Sequence, residues 1–216
     1  MNFSGLKARQ RHERENHQPN LALRVHRAIS WLGRAEKTED DDGRFIFLWI
    51  AFNAAYATEI DENSRLSEQE TFKAFLGKLC DLDTQGRIQN LVWKEFSGSI
   101  RILLDNQFVF HSFWEFQRGK IGEAAWQAKF ASGKREAQAA LASNNSAAVL
   151  GIVFNRIYVL RNQLMHGGAT WNSKVNRDQL RDCVKLLGKL VPLVIEIMLD
   201  NPHTLWGDAS FPVVHS

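Results

Sequence analysis

The chain has 216 residues, 44% of them apolar, with seven Trp and fourteen Phe, enough to fill one sizeable core and to exclude disorder as its ground state. Twenty-seven Lys and Arg against 24 Asp and Glu leave a formal charge of +3, which admits a polyanionic partner without requiring one. The most apolar stretch, Leu190 to Leu199, carries Pro192 and Glu196 and is far short of the roughly 20 residues a membrane span needs.

Residues 1–20 hold Lys7, Arg9, Arg11 and Arg14 with little apolar content. They read as a loose basic arm or a marginal helix, without the apolar stretch of a secretory signal. From Leu21 to Lys37 the residues Leu21, Val25, Ile29 and Leu32 recur at helical spacing, with Leu23, Arg24, Arg27 and Arg34 toward other faces. The acidic run Glu39 to Asp42 reads as a solvated loop with N-cap character. Phe45 to Ala57 is apolar almost all round and predicts a central buried helix. Ser67 with Glu70 fits a capping box opening a helix from Glu68 to Leu82.

Further helices are expected over Gln85–Leu104, Phe108–Gln117 and Ile121–Ala142. The polar break Ser143–Ser146 caps a helix whose stripe is Leu150, Val153, Ile157, Leu160 and Leu164, stopped by Gly167 and Gly168. A last helix, Asn176 to Asp200, carries Val184, Leu187, Val191, Ile195 and Met198 on one face, with a kink expected at Pro192. No alternating strand pattern or repeat appears. The fold class is all-α, an up-and-down helical bundle, organised as a basic N-terminal arm (1–20), a helical domain (21–200) and a tail (201–216).

Cys80 and Cys183 have neither C-x-x-C spacing nor histidines at zinc-ligand distance and read as reduced core thiols, consistent with a cytoplasmic chain. No glycine-rich phosphate loop, H-E-x-x-H, G-x-S-x-G or metal-spaced carboxylate pair is present, so no metal and no cofactor is expected. One segment carries chemistry: Arg161-Asn162-Gln163-Leu164-Met165-His166 gathers a guanidinium, an amide and an imidazole at a glycine-terminated helix end. At about 100° per residue, Asn162 and His166 lie about 40° apart, but Arg161 and His166 about 140° apart. Three arrangements bring them together: a distorted last turn, an Arg side chain that curls around, or two copies that each supply part of the site. Arg161 can clamp phosphate through its fork of donors, and a histidine, with a reference pKa of about 6.5, can serve as acid or base.

Arg161-Asn162-x-x-x-His166 resembles the R-x4-6-H motif of HEPN domains. The aromatic segment Phe45-Ile46-Phe47-Leu48-Trp49-Ile50-Ala51-Phe52-Asn53-Ala54-Ala55-Tyr56 is similar to a helix of many HEPN-like bacterial proteins. The resemblance covers roughly residues 21–200. The resemblance implies a HEPN-type bundle with additional helices, acting as a homodimer whose motif helices pair into a composite ribonuclease site. There the ribose 2′-hydroxyl attacks the adjacent phosphate without a metal and leaves a 2′,3′-cyclic phosphate. It further implies a toxin or defence effector acting on RNA, with an antitoxin or other partner protein. Carried over, His166 is the acid/base group, Arg161 stabilises phosphorane charge and Asn162 orients one of them or the phosphate. Gly168 stands where some members have a Tyr, so control by modification of that Tyr is not expected.

Asn53, in a nearly all-apolar helix, Tyr56 nearby and Trp171, just past the motif and able to stack on a base, are the substrate-binding candidates. Blander readings stand beside these. Asn53 and Tyr56 also suit structural roles. Arg161, Asn162 and His166 also suit a capping cluster, with His166 offsetting the helix dipole and Arg161 paired to Asp178 or Asp182. The alternative function is a non-catalytic HEPN-like module that binds RNA, a nucleotide or a partner protein, and a third reading is a scaffold with no nucleic-acid role.

Overall fold

A computed structural model describes residues 1–57, 68–174 and 176–208, and among them the chain is all-α, with ten helices and no strand. Ser67, the first half of the expected capping box, lies outside the described residues.

Helix α1 (Phe3–Glu13) opens on Asn2, whose Oδ1 accepts the Gly5 N–H at 3.1 Å. Of the two readings of the basic segment, the helix is the one that forms. Leu6 is fully buried, and Arg9 donates to Asp200 at 2.8 Å, joining the two ends of the fold. The Phe3 ring lies so close to α2 (Pro19–Glu36) that a Cβ on Gly33 would come within 2.6 Å of it, so only glycine permits this approach.

Helix α2 (Pro19–Glu36) has proline in its first turn, where no amide donor is lost. One side chain read as outward-facing is inside. Arg24 is 1% exposed and donates to the carbonyls of Ala55 at 2.9 Å and Asp208 at 2.7 Å. Burial lowers its pKa to about 10. The helical wheel places Arg24 beside the Leu21–Val25 stripe, and the two carbonyls that accept from its guanidinium give a buried cation its partners there.

Helix α3 (Asp41–Tyr56) starts a turn earlier than its apolar run. Asp40 is the N-cap, accepting the Gly43 N–H at 2.7 Å. Helix α3 is central, packed on α2, α9 (Ser146–Met165) and α10 (Arg177–Asp200). Helix α4 (Glu68–Leu82) has the expected bounds. The stretch read as one helix, Gln85–Leu104, is three pieces: one turn of helix α5 (Arg87–Asn90), a widened π turn (Leu91–Glu95) and helix α6 (Ser97–Leu104). Gly86, left-handed at φ 65°, and Phe96, outside helical geometry at φ −118°, interrupt an apolar periodicity that runs on through them.

A 3-10 turn (Gln107–Val109) leads to α7 (His111–Gln117), and then come α8 (Glu123–Ala142), α9 (Ser146–Met165) and α10 (Arg177–Asp200). Asn145 caps α9 by accepting the Ala148 N–H at 3.0 Å. Helix α10 continues through Pro192 as one helix. Phe52, Phe72 and Phe154 are fully buried where α3, α4 and α9 meet, and Phe45 is fully buried on α3. Cys183 is buried and Cys80 half-buried, both unbridged. Burial pushes both thiols up, that of Cys80 to about 11, which keeps them protonated and poorly nucleophilic. No helix among the described residues is long and apolar enough to cross a membrane.

Candidate functional site

Helix α3 runs antiparallel to α9. Phe52 meets Phe154 with ring centroids 4.4 Å apart, Trp49 meets Tyr158 at 6.2 Å, and Asp42 reaches Asn172 just beyond α9. The N-terminus of α3 and the C-terminus of α9 therefore share one end of the molecule.

At that end α9 stays regular through Met165 and finishes in a Schellman turn. His166 is the C-cap, Gly167 adopts φ 68°, the Gly168 N–H donates to the Gln163 carbonyl at 2.7 Å and the Gly167 N–H to that of Leu164 at 3.3 Å. A left-handed residue is needed at 167, and a Cβ on Gly168 would press on the Gln163 carbonyl at 3.1 Å. The glycine pair is thus accounted for by the turn.

The motif residues divide within this frame. Arg161 is half-buried; its guanidinium lies 5.6 Å over the Tyr158 ring, and Nη1 donates to Asn162 Oδ1 at 2.8 Å. It points back along the helix toward its N-terminus, as helical side chains do, and away from His166. Its Nε is buried without a partner. His166 is exposed, and its backbone N–H donates to the Asn162 carbonyl at 3.1 Å. Arg161 makes no ion pair with Asp178, which is held by Arg181 at 2.7 Å, nor with Asp182. Neither a distorted last turn nor a curled arginine brings Arg161 to His166 within one chain.

Trp171 is 74% exposed at the same end, with its indole N–H 3.4 Å from Asp40 Oδ1. The Gly43 N–H, with help from that indole, holds the Asp40 carboxyl below the usual carboxylate range. Asn53 and Tyr56 lie elsewhere, about 16 and 21 Å along α3 from Asp42 at 1.5 Å per residue. Asn53 is half-buried with its Oδ1 buried and unpartnered. Tyr56 is 5% exposed in a cluster with Phe52, Phe72 and Phe75, a core position rather than one at the motif.

Sequence reasoning missed the residues that shape this end. Asp42, read as part of a solvated loop, is 6% exposed and accepts from Arg177 Nη1 at 2.7 Å and from the Asn172 N–H at 3.3 Å. Gln163, inside the motif, donates to the Phe108 carbonyl at 2.8 Å and accepts from Asn176 at 3.1 Å. Asp42, Gln163, Thr170, Asn176 and Arg177 line a cleft of about 270 Å3 with Trp114 on its wall. The spacing of Asp42 and Arg177, 135 residues apart, left no signal in the sequence. Gln163 was visible only as a polar residue within the motif.

No family model, curated protein or solved structure matches the chain.

Proposed function

We propose that this protein is a HEPN-type endoribonuclease, a toxin or defence effector of the cytoplasm that cleaves RNA by attack of the 2′-hydroxyl on the adjacent phosphate, without a metal. The observation that carries the reading is the helix end itself. Arg161 is fixed by Asn162 and Tyr158 with its Nε donor unspent, and exposed His166 lies five residues on. The regular helix keeps the two apart in one chain, so the reading requires the composite arrangement, in which two copies pair their α9 helices and Arg161 of one approaches His166 of the other. In that site His166 moves the proton, Arg161 holds charge on the phosphorane and Asn162 orients the guanidinium. Trp171 offers a face for a flanking base. Asn53 and Tyr56, far along α3, are assigned structural roles rather than contact with substrate.

The test is incubation of purified protein with RNA in EDTA, with the new termini mapped. New cyclic-phosphate ends made by wild type and not by Arg161→Ala are expected, and intact RNA with both proteins contradicts the reading.

The separation of Arg161 from His166 favours a second reading, in which the same residues hold a phosphate of RNA, a nucleotide or a partner without chemistry. Salt-dependent RNA binding that leaves every RNA intact would distinguish it.

A further inference from the structure

A second cleft, of about 410 Å3, lies between α2, α3 and α10, and none of its lining residues belongs to the cleft that Asp42, Gln163 and Arg177 line. Its volume falls in the roughly 300–1,000 Å3 typical of small-molecule sites. Leu32, Leu48, Phe96 and Val184 give it an apolar floor.

Gly188 holds this cleft open. It sits inside α10, where glycine costs about 1 kcal/mol relative to alanine, yet neither backbone nor packing asks for it. Its φ is not left-handed, and a Cβ there would meet nothing nearer than Leu48 Cδ1 at 4.0 Å. The missing side chain is space in the cleft wall.

The mouth is electrostatically one-sided. Arg44, Lys185 and Lys189 stand on it, and none of them enters an ion pair among the described residues. The one carboxylate there, Glu36, is committed, accepting the Phe3 N–H at 2.8 Å at the positive end of α1. Apolar floor, open wall and three uncommitted cations complement a ligand with an apolar body and an anionic head.

We infer that this cleft binds an anionic amphiphile, a fatty carboxylate whose alkyl chain lies on Leu48, Phe96 and Val184 and whose head meets Lys185, Lys189 and Arg44. The inference is independent of the RNA reading.

Calorimetric titration of the full chain with decanoate and with decyltrimethylammonium, each below its micelle concentration, tests it. Saturable binding of decanoate is expected, weaker by roughly fourfold for each methylene removed, with at least tenfold weaker binding of the ammonium. Gly188→Leu fills the cleft from an exposed helix position and should abolish binding without lowering Tm. Lys185→Glu with Lys189→Glu should weaken decanoate about tenfold and bring the ammonium level with it, a second arm should Gly188→Leu misfold. Equal affinity for the two head groups in wild type, or unchanged decanoate binding in folded Gly188→Leu, overturns the assignment. So does Gly188-dependent binding of an acidic amphipathic peptide where decanoate fails, which would make the cleft a seat for a partner helix.

Discussion

Arg161 Nη1 donates to Oδ1 of its chain neighbour Asn162 at 2.8 Å, which fixes the guanidinium above Tyr158. Neighbours on a helix point about 100° apart, so the long arginine must bend back to its partner and loses much of its freedom. If that contact positions Arg161 for phosphate, Asn162→Ala should lower RNA cleavage about ten- to a hundredfold, the loss expected for one hydrogen bond to a charged group. Stability should stay within about 0.5 kcal/mol, since the site is near the surface. Single-turnover cleavage rates and thermal melting measure the two effects, and an unchanged rate would show that Arg161 does not depend on its neighbour.

A composite site makes a stoichiometric prediction. Arg161→Ala and His166→Ala should each be inactive, and mixing equal amounts after subunit exchange should restore about a quarter of wild-type activity. Half the dimers are then mixed, and each carries one of two sites intact. No recovery, in a mixture shown by mass spectrometry to have exchanged, would exclude a site that takes Arg161 from one copy and His166 from the other.

Asp42 ties α3 to α10 through Arg177 at 2.7 Å and holds the connection after α9 through the Asn172 N–H. Asp42→Ala leaves a part-buried guanidinium without its carboxylate, a loss that costs about 3–5 kcal/mol for a buried pair. A Tm lowered by roughly 10 °C is expected. Asp178→Ala, whose carboxylate and its partner Arg181 are both exposed, should change Tm little. Equal effects of the two would mean that the Asp42 tie does not hold this end of the fold.

Burial alone would raise the Asp200 carboxyl, but hydrogen bonds from Arg87 at 2.7 Å and Arg9 at 2.8 Å outweigh it and hold the group below the ordinary Asp value of 3.8. A carboxyl depressed on folding contributes stability that is complete above its unfolded pKa and is lost as pH falls through the folded one. Acid titration below pH 3.8 should therefore unfold the wild type with a steeper slope than Asp200→Asn, followed by circular dichroism. Identical slopes would show that the carboxyl titrates alike in the folded and unfolded chain.

Much of the bundle was legible because apolar period and cap coincide. Helix α4 has the bounds its periodicity predicts, and α9 begins at Asn145 and ends at its glycines. Gln85–Leu104 misled because one apolar stripe runs on past Gly86 and Phe96, whose backbones leave the helix. Arg24 misled because charge argued for the surface, whereas the carbonyls of Ala55 and Asp208 accept from its guanidinium inside. At the motif the sequence showed the side-chain types and the angular gap between Arg161 and His166, but not the Tyr158 and Asn162 contacts that turn Arg161 away. Asp42, Asn176 and Arg177 were out of reach because their meeting depends on how α3, α9 and α10 pack.

The most direct measurement compares wild type with His166→Ala on an RNA oligonucleotide and on the same oligonucleotide with a 2′-deoxy sugar at the mapped cleavage position, both in EDTA. The account predicts cleavage of the all-ribose strand by wild type alone, leaving a 2′,3′-cyclic phosphate, with the 2′-deoxy strand intact. Cleavage of the 2′-deoxy strand, or undiminished cleavage by a folded His166→Ala protein, would contradict it.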